Sequence, residues 1–187
     1  TIMVNPLPTV TMSGSTSVCD GQSIPLNFNF TGTGPYNISY DINSVSTSAI
    51  LNNDIDSIMV SPSSTTTYTL VNVTDVNCPN SASGTVTVYV NALPSATISG
   101  GGTICGNEGM VQIDITATNG TSPFNVIYSD GFNNVPLNGI ISPYNFQTNT
   151  TGNYTLISVS DFNLCNGNVA GAANVVVNPN PIANFSF

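Results

Sequence analysis

Apolar and polar residues alternate along much of the chain. Ile24, Leu26, Phe28 and Phe30 are separated by Pro25, Asn27 and Asn29. Tyr36, Ile38 and Tyr40 follow, and later Tyr68 and Leu70, then Val86, Val88 and Val90. A period of two puts alternate side chains on one face, so each run predicts a strand half turned to a core and half to water. Between the first two runs, Thr31-Gly32-Thr33-Gly34-Pro35 supplies turn residues. The Thr-, Ser-, Asn- and Val-rich stretches match strands and loops rather than helices, so no substantial helix is expected.

The series occurs twice. Val111, Ile113, Ile115 and Ala117 repeat the first run, Asn119-Gly120-Thr121-Ser122-Pro123 the turn, and Phe124, Val126 and Tyr128 the second run. In the divergent middle, Ile58 and Val60 are expected to correspond to Tyr144 and Phe146. Asn153-Tyr154-Thr155-Leu156 then matches Thr67-Tyr68-Thr69-Leu70, and Ala173, Val175 and Val177 match Val86, Val88 and Val90. Val4-Asn5-Pro6-Leu7-Pro8 recurs as Val90-Asn91-Ala92-Leu93-Pro94 and as Val177-Asn178-Pro179-Asn180-Pro181. A fixed period decides the architecture. It predicts repeats at 6–91 and 92–178, with 1–5 as the last strand of a preceding repeat and 179–187 as the start of a following β-sandwich. About seven short strands per repeat indicate an all-β chain of tandem immunoglobulin-like β-sandwiches. Proline biases the short linkers to extended geometry, so the repeats are expected to be joined end to end along one axis.

Composition removes whole classes of function. The chain has no Lys, Arg or His, and its nine acids give a formal net charge of −9. Phosphate neutralisation on nucleic acid needs protein cations, and so does a basic patch on anionic lipid. A Ser-His-Asp triad, a Schiff-base lysine, a P-loop and His-ligated zinc are excluded too. No apolar run approaches the roughly 20 residues of a membrane span, so membrane insertion is not expected.

Cys19, Cys78, Cys105 and Cys165 fall two to a repeat at matched positions, which points to disulfides and an oxidising compartment. Cys19 precedes the first long strand of its repeat and Cys78 follows the Tyr-Thr-Leu strand. Those two strands are expected to run antiparallel, so the start of one and the end of the other share a pole. The expectation is then Cys19–Cys78 and Cys105–Cys165, each within a repeat.

Candidate chemistry is sparse. Asp75 and Asp161 precede matched Asn and Cys residues, Asp75-Val76-Asn77-Cys78 and Asp161-Phe162-Asn163-Leu164-Cys165. They are weak calcium candidates, weighed against turns in which Asp bonds its own backbone. No other cofactor or metal is expected. Asn52-Asn53-Asp54-Ile55-Asp56 is an acidic loop in one repeat only, and Glu108 is the lone Glu. No carboxylate pair has a spacing that forces convergence, so no enzymatic activity is expected. Tyr36, Tyr40, Tyr68, Tyr128 and Tyr154 sit at alternating positions that read as core rather than a sugar platform.

The joint pattern of Asn5-Pro6-Leu7-Pro8-Thr9, Gly34-Pro35-Tyr36-Asn37-Ile38-Ser39-Tyr40-Asp41, Thr67-Tyr68-Thr69-Leu70 with Asp75-Val76-Asn77-Cys78, and Thr85-Val86-Thr87-Val88-Tyr89-Val90-Asn91 resembles the tandem immunoglobulin-like repeats of very large Bacteroidota surface proteins. SprB-type gliding adhesins, exported by type IX secretion, are the best-known functional relatives. Pro181-Ile182-Ala183-Asn184-Phe185-Ser186-Phe187 resembles the opening of a PKD-type sandwich. The resemblance implies an extracellular, cell-surface stalk or filament segment, load-bearing, in gliding or attachment. Its partners would be neighbouring repeats of the same chain, other copies in a filament, and a surface or glycan ligand. The alternatives are a glycan- or surface-binding module, or the spacer of a secreted polysaccharide-degrading enzyme. The same bacteria add O-glycans at Asp-Ser/Thr before an apolar residue, which marks Ser57 in Asp56-Ser57-Ile58.

Overall fold

The computed structural model describes residues 4–14, 17–106 and 109–182. The chain divides into two compact units, Thr1–Asn91 and Ala92–Phe187. Every regular element among the described residues is a strand.

The first unit contains β1 (Thr9–Ser13), β2 (Ser17–Cys19), β3 (Ile24–Thr31), β4 (Tyr36–Ile42), β5 (Val45–Leu51), β6 (Ile55–Val60), β7 (Thr66–Thr74), β8 (Pro79–Ser81) and β9 (Thr85–Asn91). One sheet has the order β1-β3-β6. The other has the order β2-β9-β7-β4-β5, with β8 added to β7. Leu26, Phe28 and Phe30 of β3 point inward, as their alternation with Pro25, Asn27 and Asn29 requires. They meet Tyr36, Ile38 and Tyr40 of β4, Tyr68, Leu70 and Val73 of β7, and Val86 and Val88 of β9. The Phe30 and Tyr36 rings stack with centroids 4.4 Å apart. This is a sandwich whose core is the inward face of both sheets.

The second unit contains β10 (Ser95–Cys105), β11 (Val111–Thr118), β12 (Phe124–Ser129), β13 (Asn134–Ile140), β14 (Tyr144–Thr148), β15 (Gly152–Ser160) and β16 (Asn168–Asn178). Its strand order is β13-β12-β15-β16-β10-β11-β14. Its core joins Ile113, Ile115, Phe124, Val126, Tyr128, Tyr154, Leu156, Val159, Ala173 and Val175. The single path through all seven strands exists because β10 serves both layers. It pairs antiparallel with β11 and parallel with β16. Gly100 and Gly101 make that crossing possible. Their φ values are +98° and +86°, and a Cβ there would lie 2.3 Å from the Gln112 oxygen and 2.4 Å from the Asn174 oxygen. Only glycine combines that backbone conformation with so close an approach.

Two sequence expectations change. β5 and β13 extend β4 and β12 as edge strands, and the hydrophobic pattern did not mark them. In the middle of the repeats, Ile58 pairs with Leu26 while Phe146 pairs with Ile113, the residue matching Leu26. Ile58 therefore corresponds to Phe146, two places from the expected match. A slip of two leaves the inward face inward, so the pattern alone did not fix it. Residues 4–8 and 179–182 lie in no strand. The rest of the two expected partial repeats, 1–3 and 183–187, lies outside the described residues.

Candidate functional site

The strand directions give each repeat a head pole, where the chain comes in, and a tail pole, where it leaves. In the first repeat β1 begins opposite the end of β3, with Thr9 paired to Thr31. β4 starts just beyond and pairs antiparallel with β7, Asn37 opposite Thr74. So β3 and β7 end at the same pole, together with the turns 32–35 and 75–78. Asn80 Nδ2 donates to the Pro8 carbonyl there at 2.9 Å. At the other pole β9 ends alongside β2, with Cys19 opposite Asn91 and the Asp20 N–H donating to the Asn91 carbonyl at 2.9 Å. The second repeat is built alike. Its head pole carries the Asn168 N–H bond to the Pro94 carbonyl, and its tail pole the Gly106 N–H bond to the Asn178 carbonyl at 2.6 Å.

This placement overturns the expected pairing of cysteines. β3 and β7 run in the same direction, not antiparallel. Cys19 therefore sits at the tail pole and Cys78 at the head pole of one repeat, and Cys105 and Cys165 are separated in the same way in the other. A strand of eight residues spans about 26 Å, whereas a disulfide requires Cα atoms within about 7 Å. Neither Cys19–Cys78 nor Cys105–Cys165 is formed. Cys19 and Cys165 are disulfide-bonded, and Cys78 and Cys105 are free thiols.

Asp75 and Asp161 organise the head poles. Asp75 Oδ1 accepts from the N–H groups of Cys78 at 2.7 Å and Asn77 at 2.8 Å. Its Oδ2 accepts from Thr33 N–H at 3.1 Å, tying the turn after β7 to the turn after β3. The bonds from Cys78 and Asn77 hold this carboxyl below the usual carboxylate range, against burial, with Thr33 adding to them. Asp161, fully buried, repeats the arrangement. It accepts from Thr121 N–H at 2.8 Å and Cys165 N–H at 2.9 Å. All these donors present positive hydrogens, whereas calcium requires a shell of oxygens. Among the described residues no group of three or more His, Cys, Asp or Glu is placed to hold a metal ion.

The remaining candidates do not converge. In the acidic loop Asp56 accepts from the N–H groups of Ser57 and Asn52 and from Asn53 Nδ2. Those bonds, that from Ser57 first, hold its carboxyl below the usual range. Asp54 accepts from the Tyr36 hydroxyl at 2.7 Å. That bond first, then burial, pushes the phenol up to about 12. Ser57 is exposed on β6, an edge strand. Glu108 lies outside the described residues. Tyr36, Tyr40, Tyr68, Tyr128 and Tyr154 are all buried in the two cores. Two surface depressions of the first repeat, about 370 and 510 Å³, are lined by Ser, Thr, Asn, Pro and apolar residues with one buried tyrosine, and by no acid.

These sandwiches have known counterparts. The family described as nucleoporin POM152, Ig-like domain, matches residues 7–85. An I-band fragment of titin superposes with a TM-score of 0.60 at 14% identity, covering 95% of this chain and 67% of that one. A marsupial T cell receptor superposes with a TM-score of 0.56 at 15% identity, covering 96% of this chain and 76% of that one. At such identities the likeness is one of fold. No curated protein matches the sequence. Both units are immunoglobulin-like β-sandwiches. Disulfide bonding fits an oxidising compartment. No helix among the described residues is long and apolar enough to cross a membrane.

Proposed function

We propose that this chain is a load-bearing structural segment of an extracellular, cell-surface filament or adhesin. The observation that carries the reading is the pairing of the first and last strands. In each repeat the strand near the incoming chain lies parallel to the strand that leads out. β2 pairs with β9 over Ser17–Cys19, and β10 pairs with β16 between Ser95 and Cys105. Tension on the two chain ends pulls such strands past each other along their length. The inter-strand hydrogen bonds are then loaded together in shear rather than opened one after another.

The negative surface, the absence of cations and the buried tyrosines support a structural role over catalysis or sugar stacking. The resemblance of the sequence to Bacteroidota surface repeats supports a role in attachment or gliding, with export by type IX secretion. Forced unfolding of single molecules in reductant tests the mechanical reading. Both repeats should unfold at the high force of strands loaded in shear. Unfolding of both at the low force of a peeled sheet would refute load-bearing.

A further inference from the structure

We infer that β5 is a docking edge for a second copy of this chain, the two β5 strands pairing antiparallel about Ser48 to join two sheets into one. The inference stands on the edge of the first repeat alone and does not rest on the load-bearing reading above.

A strand that ends a sheet leaves a row of backbone N–H and C=O groups open to another strand. Such edges are ordinarily guarded by shortness, charge, proline or a bulge. The other strands that end the described sheets are guarded in these ways. β1, β2 and β14 have five residues or fewer. β6 carries Asp56. β13 carries Pro136, and its register against β12 shifts. β5 has seven residues, no acid and no proline, and it follows β4 in unbroken register.

The turn before β5 fixes which of its groups are open. Asn43 and Ser44 have φ values of 47° and 71°. This two-residue turn makes Ile42 and Val45 a hydrogen-bonded pair. Such pairs alternate along an antiparallel ladder, so Thr47, Ala49 and Leu51 also bond to β4. The N–H and C=O groups of Ser46, Ser48 and Ile50 therefore point away from β4. These three residues lie symmetrically about Ser48, as a two-fold contact between identical strands requires. With Ser48 opposite Ser48 of the second copy, Ser46 falls opposite Ile50 and Ile50 opposite Ser46. Each pair exchanges both backbone bonds. A register moved by two residues would leave Ile50 or Ser46 facing a residue outside β5.

The side chains suit the same register. Val45, 69% exposed, shares the face of Leu51 and comes opposite Leu51 of the second copy. Ile50, 68% exposed, comes beside Ser46 of the second copy. There it meets the rim of the 510 Å³ depression lined by Ser39, Ser46, Thr47, Ser48, Val71 and Asn72. Asp41 is the one acid of β4 and β5, and Ser46 Oγ donates to it at 2.5 Å. In the joined sheet the two Asp41 positions stand about 20 Å apart, beyond the Debye length of about 8 Å at physiological salt. A single strand edge buries less than the roughly 1,200 Å² of a standard interface, so the dimer is weak and concentration-dependent.

Sedimentation equilibrium of the whole chain, with the Cys78 and Cys105 thiols capped by iodoacetamide, tests this. The 19.3 kDa monomer should pass reversibly to a dimer between about 10 μM and about 1 mM. Ser48→Pro removes the outward N–H and leaves the bonds to β4 in place. Ser48→Lys and Ser48→Asp each set like charges opposite one another across the axis. Each variant alone should associate at least about tenfold more weakly. An equimolar mixture of the S48K and S48D proteins should form heterodimers within about threefold of the original affinity. Single variants that associate as the unsubstituted chain does would overturn the inference. So would a mixture no tighter than either variant alone, or an unsubstituted chain still monomeric at about 1 mM. Near- and far-ultraviolet circular dichroism matching the unsubstituted protein ensures that each result comes from folded chain.

Discussion

The two repeats carry different residues where the first strand passes from one sheet to the other. In the first, β1 pairs with β3 in one sheet and β2 pairs with β9 in the other. In the second, β10 runs unbroken for eleven residues and belongs to both. The crossing of the second repeat is made at Ser99-Gly100-Gly101-Gly102, and the matching sequence of the first is Ser13-Gly14-Ser15-Thr16. Successive glycines let the backbone press against β11 on one side and β16 on the other without leaving the ladder. A glycine bridge thus lets one strand of the second repeat close the sandwich against both layers.

That contrast is broken most sharply by Gly101→Ala. The new Cβ would meet the Asn174 oxygen at 2.4 Å in a backbone of positive φ. β10 must then part from β16, at about 3 kcal/mol. Urea titration followed by resonances from each repeat should show the second repeat unfolding at lower urea with the first unchanged. An unchanged second midpoint would mean that the bridge is not what holds β10 in place.

The sequence made the cores legible and the poles illegible, for physical reasons. Alternation marked β3, β4, β11 and β12 because each has one face buried, as Leu26, Phe28 and Phe30 do. β5 and β13 are edge strands with weaker burial, and polar or small residues such as Ser46, Ser48 and Gly139 blur their alternation. The β4–β5 turn has Asn43 and Ser44 at positive φ, without the Asn-Gly pair that would advertise a hairpin. The repeat period identified equivalent cysteines but not which pole each occupies. That needs the relative direction of β3 and β7, which lie in different sheets and share no hydrogen bonds. Asp75 and Asp161 were visible as matched turn residues. Their reach to Thr33 and Thr121, about forty residues back, was not, because it depends on two turns meeting in space.

Acid should separate the repeats by a smaller margin. Asp56 and Asp75 in the first repeat are held below the usual carboxylate range by backbone N–H donors, while Asp130 in the second is held down chiefly by Asn133 and Phe132 N–H. A depressed folded value gives stability that is present above the unfolded value, about 3.9, and is lost as pH falls through the folded one. Both repeats should lose stability between pH 5 and pH 2, the first by more. The same urea titration at pH 6 and pH 3 measures the two shifts. A larger loss in the second repeat would contradict the assignment.

The mildest test uses a substitution the protein already contains. Tyr36 opens β4 of the first repeat, and Phe124 opens β12 of the second at the matched place. Both rings are buried, so the difference is one hydroxyl, donated to Asp54 at 2.7 Å. Tyr36→Phe removes donor and hydration demand together, and Asp54, being exposed, regains water. The net loss should be about 1 kcal/mol or less, with the ring stack on Phe30 intact. The clearer readout is alkaline titration. The Tyr36 phenol is raised to about 12 from the model-peptide value of 10.0, first by its bond to Asp54. A raised value means that this contribution is fully present below the unfolded value and disappears as pH climbs through the folded one. Absorbance near 295 nm should therefore show a late phenolate step that the Tyr36→Phe protein lacks. If that step survives the substitution, the late tyrosine is another residue, and the bond to Asp54 does not distinguish the first repeat from the second.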